Sequence, residues 1–581
     1  MLLERVLRES KKIPSSNLVL GAAFVGMLSG YLLLQYTLQG DWIRSPGMWA
    51  ENGTNYFSVS YDGFRLGDLG VTDSGYLPII LRLVSAILHA VGVPIHLVPL
   101  FQQAIALLIA SLPVLFFIHP VFRIAVPSDL ARGLLASVVL AFQSSWGLGL
   151  FLNSTYSFVF FLFSFALLLL GAHRNHRPTK WTPHGLWWLV PLTVFSKPAA
   201  LAVMPLFLYL AIKSTGRIRA ISGLVLVAGT FQFVVMAYSR FYLGVFDRGA
   251  SFSLGPAIRD FFGYLFGMTT RLVIGPQISD VLSSLPGLGL GVALVLIIVI
   301  VSSREPDGPY RTLVFSGLVL ALSALGLNGV TIWAHWNPAH WGYLNVPVHS
   351  HTIAPYLGLI VTLFSTSILV FRTLLPSLNS IALRGFAGFS YLIIWLGLSG
   401  WGALIYAGAN QPDWPVTKNS QWAHTTNFTH DSGVFPDCVL LDPWGWVMGA
   451  ECESAGFTDP RGENSRIPEG FEWLTSDLKS LPSNRQLFGV AVGTEGYPGE
   501  VPFWEIIAFD SDGNQLGSGG GSGGTDSRKQ TILMNFDRPI SIDSLAAIQL
   551  SHKGFSLIGR QNADGAPEPI YFFLLSKERP D

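Results

Sequence analysis

Three carboxylates, Asp62, Asp68 and Asp73, stand in one glycine-punctuated segment, Tyr61-Asp62-Gly63-Phe64-Arg65-Leu66-Gly67-Asp68-Leu69-Gly70-Val71-Thr72-Asp73-Ser74-Gly75-Tyr76. A carboxylate held at a membrane surface can take the proton from an incoming hydroxyl, or hold a divalent cation that steadies a phosphate leaving group. Asp and Gly also build turns, and any single aspartate here has that ordinary use. An anionic substrate would need cations nearby, and Arg82, Lys197, Arg240, Arg248, Arg259 and Arg271 are the candidates. Some of these serve only to snorkel or to meet lipid headgroups. Lys197 stands apart, because Phe195-Ser196-Lys197-Pro198 lies where two apolar segments meet, and an ionisable group inside a membrane bundle marks a functional site by default. A further segment, Trp333 to His351, holds His335, His340, His349 and His351 among Trp333, Trp336 and Trp341. Its histidine spacing matches no specific metal motif, so a polar or sugar-stacking surface around His335, His340 and Trp341 is the sharper reading. Trp and Tyr at such a depth also serve simply as interfacial anchors.

These residues sit on a chain whose charge is missing over long stretches. Between Asn17 and Ala407 it reads as apolar segments separated by short polar loops. A hydrocarbon core about 30 Å thick needs about 20 apolar helical residues per crossing. On that measure spans fall near 17–38, 95–118, 130–148, 156–172, 185–195, 199–212, 220–238, 285–301, 312–327, 353–371 and 386–407, about eleven crossings. The tail 1–16 carries Arg5, Arg8, Lys11 and Lys12, and the positive-inside rule makes it cytoplasmic. Loops holding Arg123 and Arg132, then Arg174, Arg177 and Lys180, then Lys213, Arg217 and Arg219, then Arg304 and Arg311, then Arg372 and Arg384 all fall on that same side. A signal-peptide reading of the first span fails, because the run is long and further spans follow without a clear small-residue cleavage site.

The expected architecture is therefore an α-helical polytopic membrane domain over 17–407, with outward loops 39–94, 240–284 and 329–351. Two helices are expected to lie in the interface, from Tyr76 to His89 and from Ile258 to Val273, where apolar positions at helical spacing are broken by charge. Residues 408–581 then form an extracytoplasmic, mainly-β domain, sandwich-like, with short apolar runs at 487–492, 504–509, 531–536, 546–550 and 571–575. Residues Phe471–Leu478 are expected as a short helix, and the run Gly517–Gly524 as a flexible connection. The two cysteines of the chain, Cys438 and Cys452, lie in this domain, and on the oxidising side of a membrane a disulfide is the favoured expectation over a metal or redox site.

Equal numbers of acidic and basic residues, 36 of each, and the lack of a basic aromatic-interleaved patch give no reason to expect nucleic acid. No phosphate-binding loop, dinucleotide fingerprint or nucleophile elbow stands in a strand–helix context, which argues against nucleotide-driven pumping. The layout resembles the integral-membrane glycosyltransferases of the GT-C fold. The resemblance rests on the first span, the acidic first outward loop, the helix after it, the many-spanning bundle and the appended outer domain. It implies transfer of a sugar from a polyprenyl-phosphate donor to a cell-envelope glycan or lipid acceptor, in a bacterial inner membrane. In that family a loop aspartate, often paired with a second acid and followed by an aromatic and an interfacial helix, is the catalytic or metal-binding group. Asp73-Ser74-Gly75-Tyr76, with Arg82 beyond it, matches that position. No two acids are adjacent here, which leaves Asp62 and Asp68 as rivals, and leaves a divalent cation, Mg or Mn, as an open cofactor. Three other readings stand beside it: a polysaccharide polymerase, in which Arg248, Arg259 and Arg271 would be central, a transporter or flippase of lipid-linked sugars, and a non-enzymatic envelope assembly protein that acts through its outer domain.

Overall fold

The computed structural model describes residues 17–44, 47–48, 52–57, 65–73, 75–143, 151–175, 186–241, 254–304, 307–331, 343–344 and 352–374, and, in the C-terminal part, 439–441, 446–448, 465–467, 469–474, 478, 486–496, 503–522, 529–561, 567–569 and 571–575. The chain divides into two compact units, one of residues 1–39, 65–84 and 102–412, the other of 40–64, 85–101 and 413–581.

The helices described are α1 (Asn17–Arg44), α2 (Ile79–Ala90), α3 (Val98–Leu115), α4 (Asp129–Gln143), α5 (Ser157–Arg174), α6 (Leu186–Val194), α7 (Met204–Lys213), α8 (Gly216–Phe241), α9 (Leu254–Ile274), α10 (Ser284–Arg304), α11 (Pro309–Thr331) and α12 (Ile353–Leu374), with shorter turns between them. Seven helices among the described residues are long and apolar enough to cross a membrane: Val19–Thr37, Val98–Ile118, Phe151–Arg174, Gly216–Ser239, Ser284–Arg304, Pro309–Gly329 and Ile353–Val370. Such helices satisfy every backbone polar group internally, as a bilayer demands. The expected count of about eleven is not reached among these residues. The span expected at 130–148 is the 15-residue α4, and that at 185–195 is the nine-residue α6 with Pro191 inside it. The span expected at 199–212 begins as a 3-10 turn, Pro198–Val203, before α7. Proline explains much of this, since it removes a helical donor and pushes the preceding residue into extended backbone. Lys197, before Pro198, has φ −147° and ψ 148°. The span expected at 386–407 lies outside the described residues.

Close helix crossings are made by glycine. A Cβ on Gly358 of α12 would meet the Gly317 carbonyl of α11 at 2.6 Å, and one on Gly291 of α10 would meet the Phe266 carbonyl of α9 at 2.3 Å. Such small-residue contacts are how helices pack when the solvent is itself apolar. A helix is found at both segments expected to lie in the interface. The second, α9, is buried from Gly263 to Leu272 except at the half-buried Phe266, so only its first half keeps the exposed character expected there.

The other unit contains strands β1 (Val439–Leu441), β2 (Trp446–Met448), β3 (Ser465–Ile467), β4 (Gly470–Leu474), β5 (Gln486–Gly496), β6 (Phe503–Phe509), β7 (Gln515–Ser522), β8 (Lys529–Ser541), β9 (Ala547–Lys553), β10 (Phe555–Gln561), β11 (Pro567–Pro569) and β12 (Tyr571–Leu575). A six-stranded sheet follows the path β11-β10-β5-β12, with β3 on β10 and β8 on β5; a four-stranded sheet runs β4-β9-β6-β7. Val490, Val492, Met534, Phe555 and Leu557 of the first share one core with Leu474, Ile506, Ala508, Ile548 and Leu550 of the second. Alternation of buried and exposed positions along β6 and β9 aims one face of the four-stranded sheet at that core.

Two expectations are corrected in this unit. Residues Gly470–Leu474 form β4, not the start of a helix, because pairing with β9 buries Leu474 beside Ile548. The glycine run is not a loose connection: Gln515–Ser522 pairs with β6 through backbone groups, which need no side chain. A Cβ on Gly517 would stand 3.1 Å from the Ile540 side chain, a tight contact that asks that side chain to shift by a few tenths of an ångström.

Burial makes this unit sensitive to acid. His552 is 3% exposed, its Nδ1 lies 3.1 Å from the Phe555 carbonyl, and burial holds its pKa below the ordinary value against the smaller opposing effects of that carbonyl and Glu469. Between the lowered folded value and about 6.5 in the unfolded chain, only the unfolded chain takes up the proton. Stability is therefore complete above about pH 6.5 and declines as pH falls, with a slope approaching about 1.4 kcal/mol per pH unit for one proton. Thermal unfolding of the β-sheet signal at stepped pH checks this; His552→Leu should flatten the dependence, and an unchanged slope in that variant would refute it.

Candidate functional site

The site begins as a backbone turn. The Asp73 N–H donates to the Tyr76 carbonyl at 2.8 Å and the Tyr76 N–H donates to the Asp73 carbonyl at 3.0 Å. Gly75 closes that turn at φ 80°, in the left-handed region that glycine enters without steric cost. The chain leaving it is tied to segments distant in sequence. The Leu77 N–H donates to Gln232 Oε1 of α8 at 3.3 Å, and the Ile79 N–H donates to the Phe195 carbonyl at 3.0 Å. These bonds bring the acidic loop against the Phe195–Pro198 junction.

Three side chains then meet in sequence. The Tyr76 hydroxyl donates to Asp73 Oδ2 at 2.9 Å, and Lys197 Nζ donates to the Tyr76 oxygen at 2.6 Å. The Lys197 ammonium stands 5.0 Å from the Tyr76 ring centre and 5.5 Å from that of Tyr156. Asp73, Tyr76, Lys197 and Tyr156 are all buried. Charges removed from water are costly unless opposite charges, hydrogen bonds or ring faces answer them. Here a lysine and an aspartate answer each other through one phenol. Arg82, buried on α2, follows in the first turn, where its N–H donates to the Pro78 carbonyl at 3.2 Å.

The other expected residues are placed differently. Asp68 is half-buried and uses its carboxylate locally: Oδ2 accepts from the Arg65 N–H at 2.7 Å and caps the 3-10 turn Leu66–Gly70. Arg271, buried on α9, donates from Nη1 to the Leu344 carbonyl at 3.0 Å, and the Ser279 hydroxyl donates to that same carbonyl at 2.8 Å. Arg259 is exposed and pairs with its neighbour Asp260 at 3.1 Å, where the Tyr343 hydroxyl also donates at 2.6 Å. Asp260, paired with Arg259, and Arg271 thus hold the 343–344 segment onto α9, and neither arginine joins the Asp73 cluster through these bonds. Asp62, Arg248, His335, His340, Trp341, Cys438 and Cys452 lie outside the described residues.

Sequence reasoning missed Tyr156 and Gln232, and treated Tyr76 only as a neighbour. No spacing could have found them, because the contacts join residues about 40 and 155 positions apart, and only the fold sets that proximity. A second charged cluster, Arg123–Asp129–Arg132, is structural. The Asp129 carboxylate takes Arg123 at 2.8 and 2.5 Å and Arg132 at 2.5 Å, while Arg132 also donates to the Val126 carbonyl at 2.7 Å.

Among the described residues no group of three or more His, Cys, Asp or Glu side chains could hold a metal ion. The Tyr76 phenol donates to Asp73 and the Lys197 ammonium to the Tyr76 oxygen, so these groups supply one carboxylate beside a positive charge and do not by themselves fit a divalent cation. What they can do is hold a single buried carboxylate in a fixed orientation. Comparison with protein-family models, with characterised proteins and with solved structures finds no match.

Proposed function

We propose that this chain is a membrane glycosyltransferase that moves a sugar from a polyprenyl-phosphate donor to a cell-envelope glycan or lipid acceptor at the outer face of the membrane. The observation that carries the reading is the buried chain of Asp73, Tyr76 and Lys197 at a junction between apolar segments. In this reading the basic loops stand on the cytoplasmic side and that junction faces the opposite one.

In this reading Asp73 takes the proton of an acceptor hydroxyl as its oxygen bonds to the anomeric carbon of the donor sugar. The bond from that carbon to the phosphate oxygen breaks, and the electron pair leaves with polyprenyl phosphate. Tyr76 fixes one carboxylate oxygen and so orients the group, while Lys197 keeps the pair charge-balanced. Arg82 is the cation assigned to the donor phosphate, where stabilising developing charge supplies much of a rate enhancement. A nearly wholly apolar groove of about 210 Å³, lined by Ile258, Phe261, Phe262 and Leu325, has the chemistry to take an isoprenoid tail. The polymerase alternative leans on Arg248, Arg259 and Arg271, and two of those are committed to Asp260 and to the Leu344 carbonyl.

The test uses the full chain in lipid nanodiscs with a panel of polyprenyl-phosphate hexoses and pentoses and cell-envelope glycan. Release of polyprenyl phosphate in step with sugar appearing on the glycan is expected. Donor that crosses a proteoliposome bilayer unchanged, with no sugar transferred, would replace this reading by the flippase one.

A further inference from the structure

The face of the four-stranded sheet turned away from the core alternates aromatic rings with hydrogen-bonding side chains. On β6, Trp504, Ile506 and Ala508 turn inward, so Phe503, Glu505, Ile507 and Phe509 share the outward face. The register sets Lys553 opposite Phe503, Ser551 opposite Glu505 and Gln549 opposite Ile507, with Trp473 of β4 on the far side of Gln549. Trp473 is 55% exposed and Phe503 48% exposed. The rings of Trp473 and Phe509 lie 5.8 Å apart and tilted by 45°, meeting across the middle strand. Gly520 of β7 stands opposite Glu505 and brings no side chain to cover that carboxylate from the edge.

Large rings left in water on a paired, ordered sheet face call for a ligand. The chemistry of the face selects among ligands. Its charges are one acid, Glu505, and one base, Lys553, so it lacks the basic cluster that meets anionic lipid headgroups. Polar groups stand between the rings, whereas the core of a protein interface is depleted of charge. A sugar ring needs both parts at once: an apolar C–H face to lie on an indole, and hydroxyls that bond to a carboxylate and an amide. Same-face positions recur about every 7 Å along a strand, so Phe503 to Phe509 offers about 20 Å, room for several linked sugars. We propose that this face binds a glycan chain, with Trp473 stacking on one sugar ring beside Phe509, and with Glu505 and Gln549 bonding its hydroxyls. The transferase reading enters only in identifying that glycan as the acceptor.

The test is saturation-transfer NMR and calorimetric titration on the full chain in nanodiscs, without donor. The probes are maltohexaose, laminarihexaose, xylohexaose, mannohexaose and arabinofuranosyl hexasaccharide. Binding of at least one is expected, weakened about tenfold or more by Trp473→Ala, as for a central aromatic contact, and largely kept by Trp473→Phe. No binding to any probe, or binding that Trp473→Ala leaves intact, overturns the proposal. So does a Trp473-dependent loss of association with phosphatidylglycerol vesicles, which would make the face a lipid contact. Transfer by the wild-type chain from the donor panel separates the two readings: glycan binding by a wild-type chain that transfers no sugar from any donor would sink the transferase reading and leave this site standing.

Discussion

Asp73→Asn will lower sugar transfer by about 10²- to 10⁴-fold, the range that one general base contributes. The amide keeps an oxygen for the Tyr76 hydroxyl and nearly the same volume, so the turn should persist while the ability to take a proton is lost. The loss should appear in kcat more than in KM, since the group acts on the reacting hydroxyl and not on the donor. Asp68→Ala is the matched control. It removes a carboxylate of the same loop, yet should cost only about 1 kcal/mol of local stability, the usual consequence of a lost cap, with transfer close to wild type. Initial rates for both variants in nanodiscs decide the matter. Equal losses, or a larger loss for Asp68, would remove Asp73 from the mechanism.

Lys197→Met will destabilise the protein by about 3 kcal/mol, because it leaves a buried carboxylate and its bridging phenol without the charge that answers them. The second half of the result is the more diagnostic. In the double variant Asp73→Asn with Lys197→Met neither charge remains, and much of that loss should return. The cycle should therefore show a coupling of about 1–3 kcal/mol between side chains joined through Tyr76. Thermal unfolding of the four proteins in the same nanodiscs measures it. Additive losses would mean that Lys197 is held by the Tyr76 and Tyr156 rings alone and has no part in setting the state of Asp73.

Charge placement made the membrane character legible, because the absence of ionisable residues over a span-length window has one physical reading. The count was less legible. Windows at 185–195 and 199–212 are apolar enough, but Pro191 and Pro198 break the backbone regularity that hydropathy ignores. In the β unit, strands such as Trp504–Phe509 and Tyr571–Leu575 were readable from short apolar runs bounded by turn residues. The glycine-rich β7 was not, since its pairing is set by its partner β6 and by room beside Ile540, neither of which leaves a mark in its own composition. At the site, Asp73 and Lys197 were each suspect for separate reasons. Their connection through Tyr76 was not, because it depends on a main-chain bond between Ile79 and Phe195 that no local pattern encodes.

That last bond has a consequence for how such a site diversifies. The Asp73 turn is fixed by its own backbone pair, by Gly75, and by main-chain donors at Leu77 and Ile79 held by Gln232 and the Phe195 carbonyl. Of these fastenings only Gln232 uses a side chain. Selection can therefore rewrite the side chains of Val71, Thr72 and the exposed Leu66 without displacing the carboxylate. Anchoring by peptide groups separates the part of the loop that is free to vary from the part that has to stay where it is.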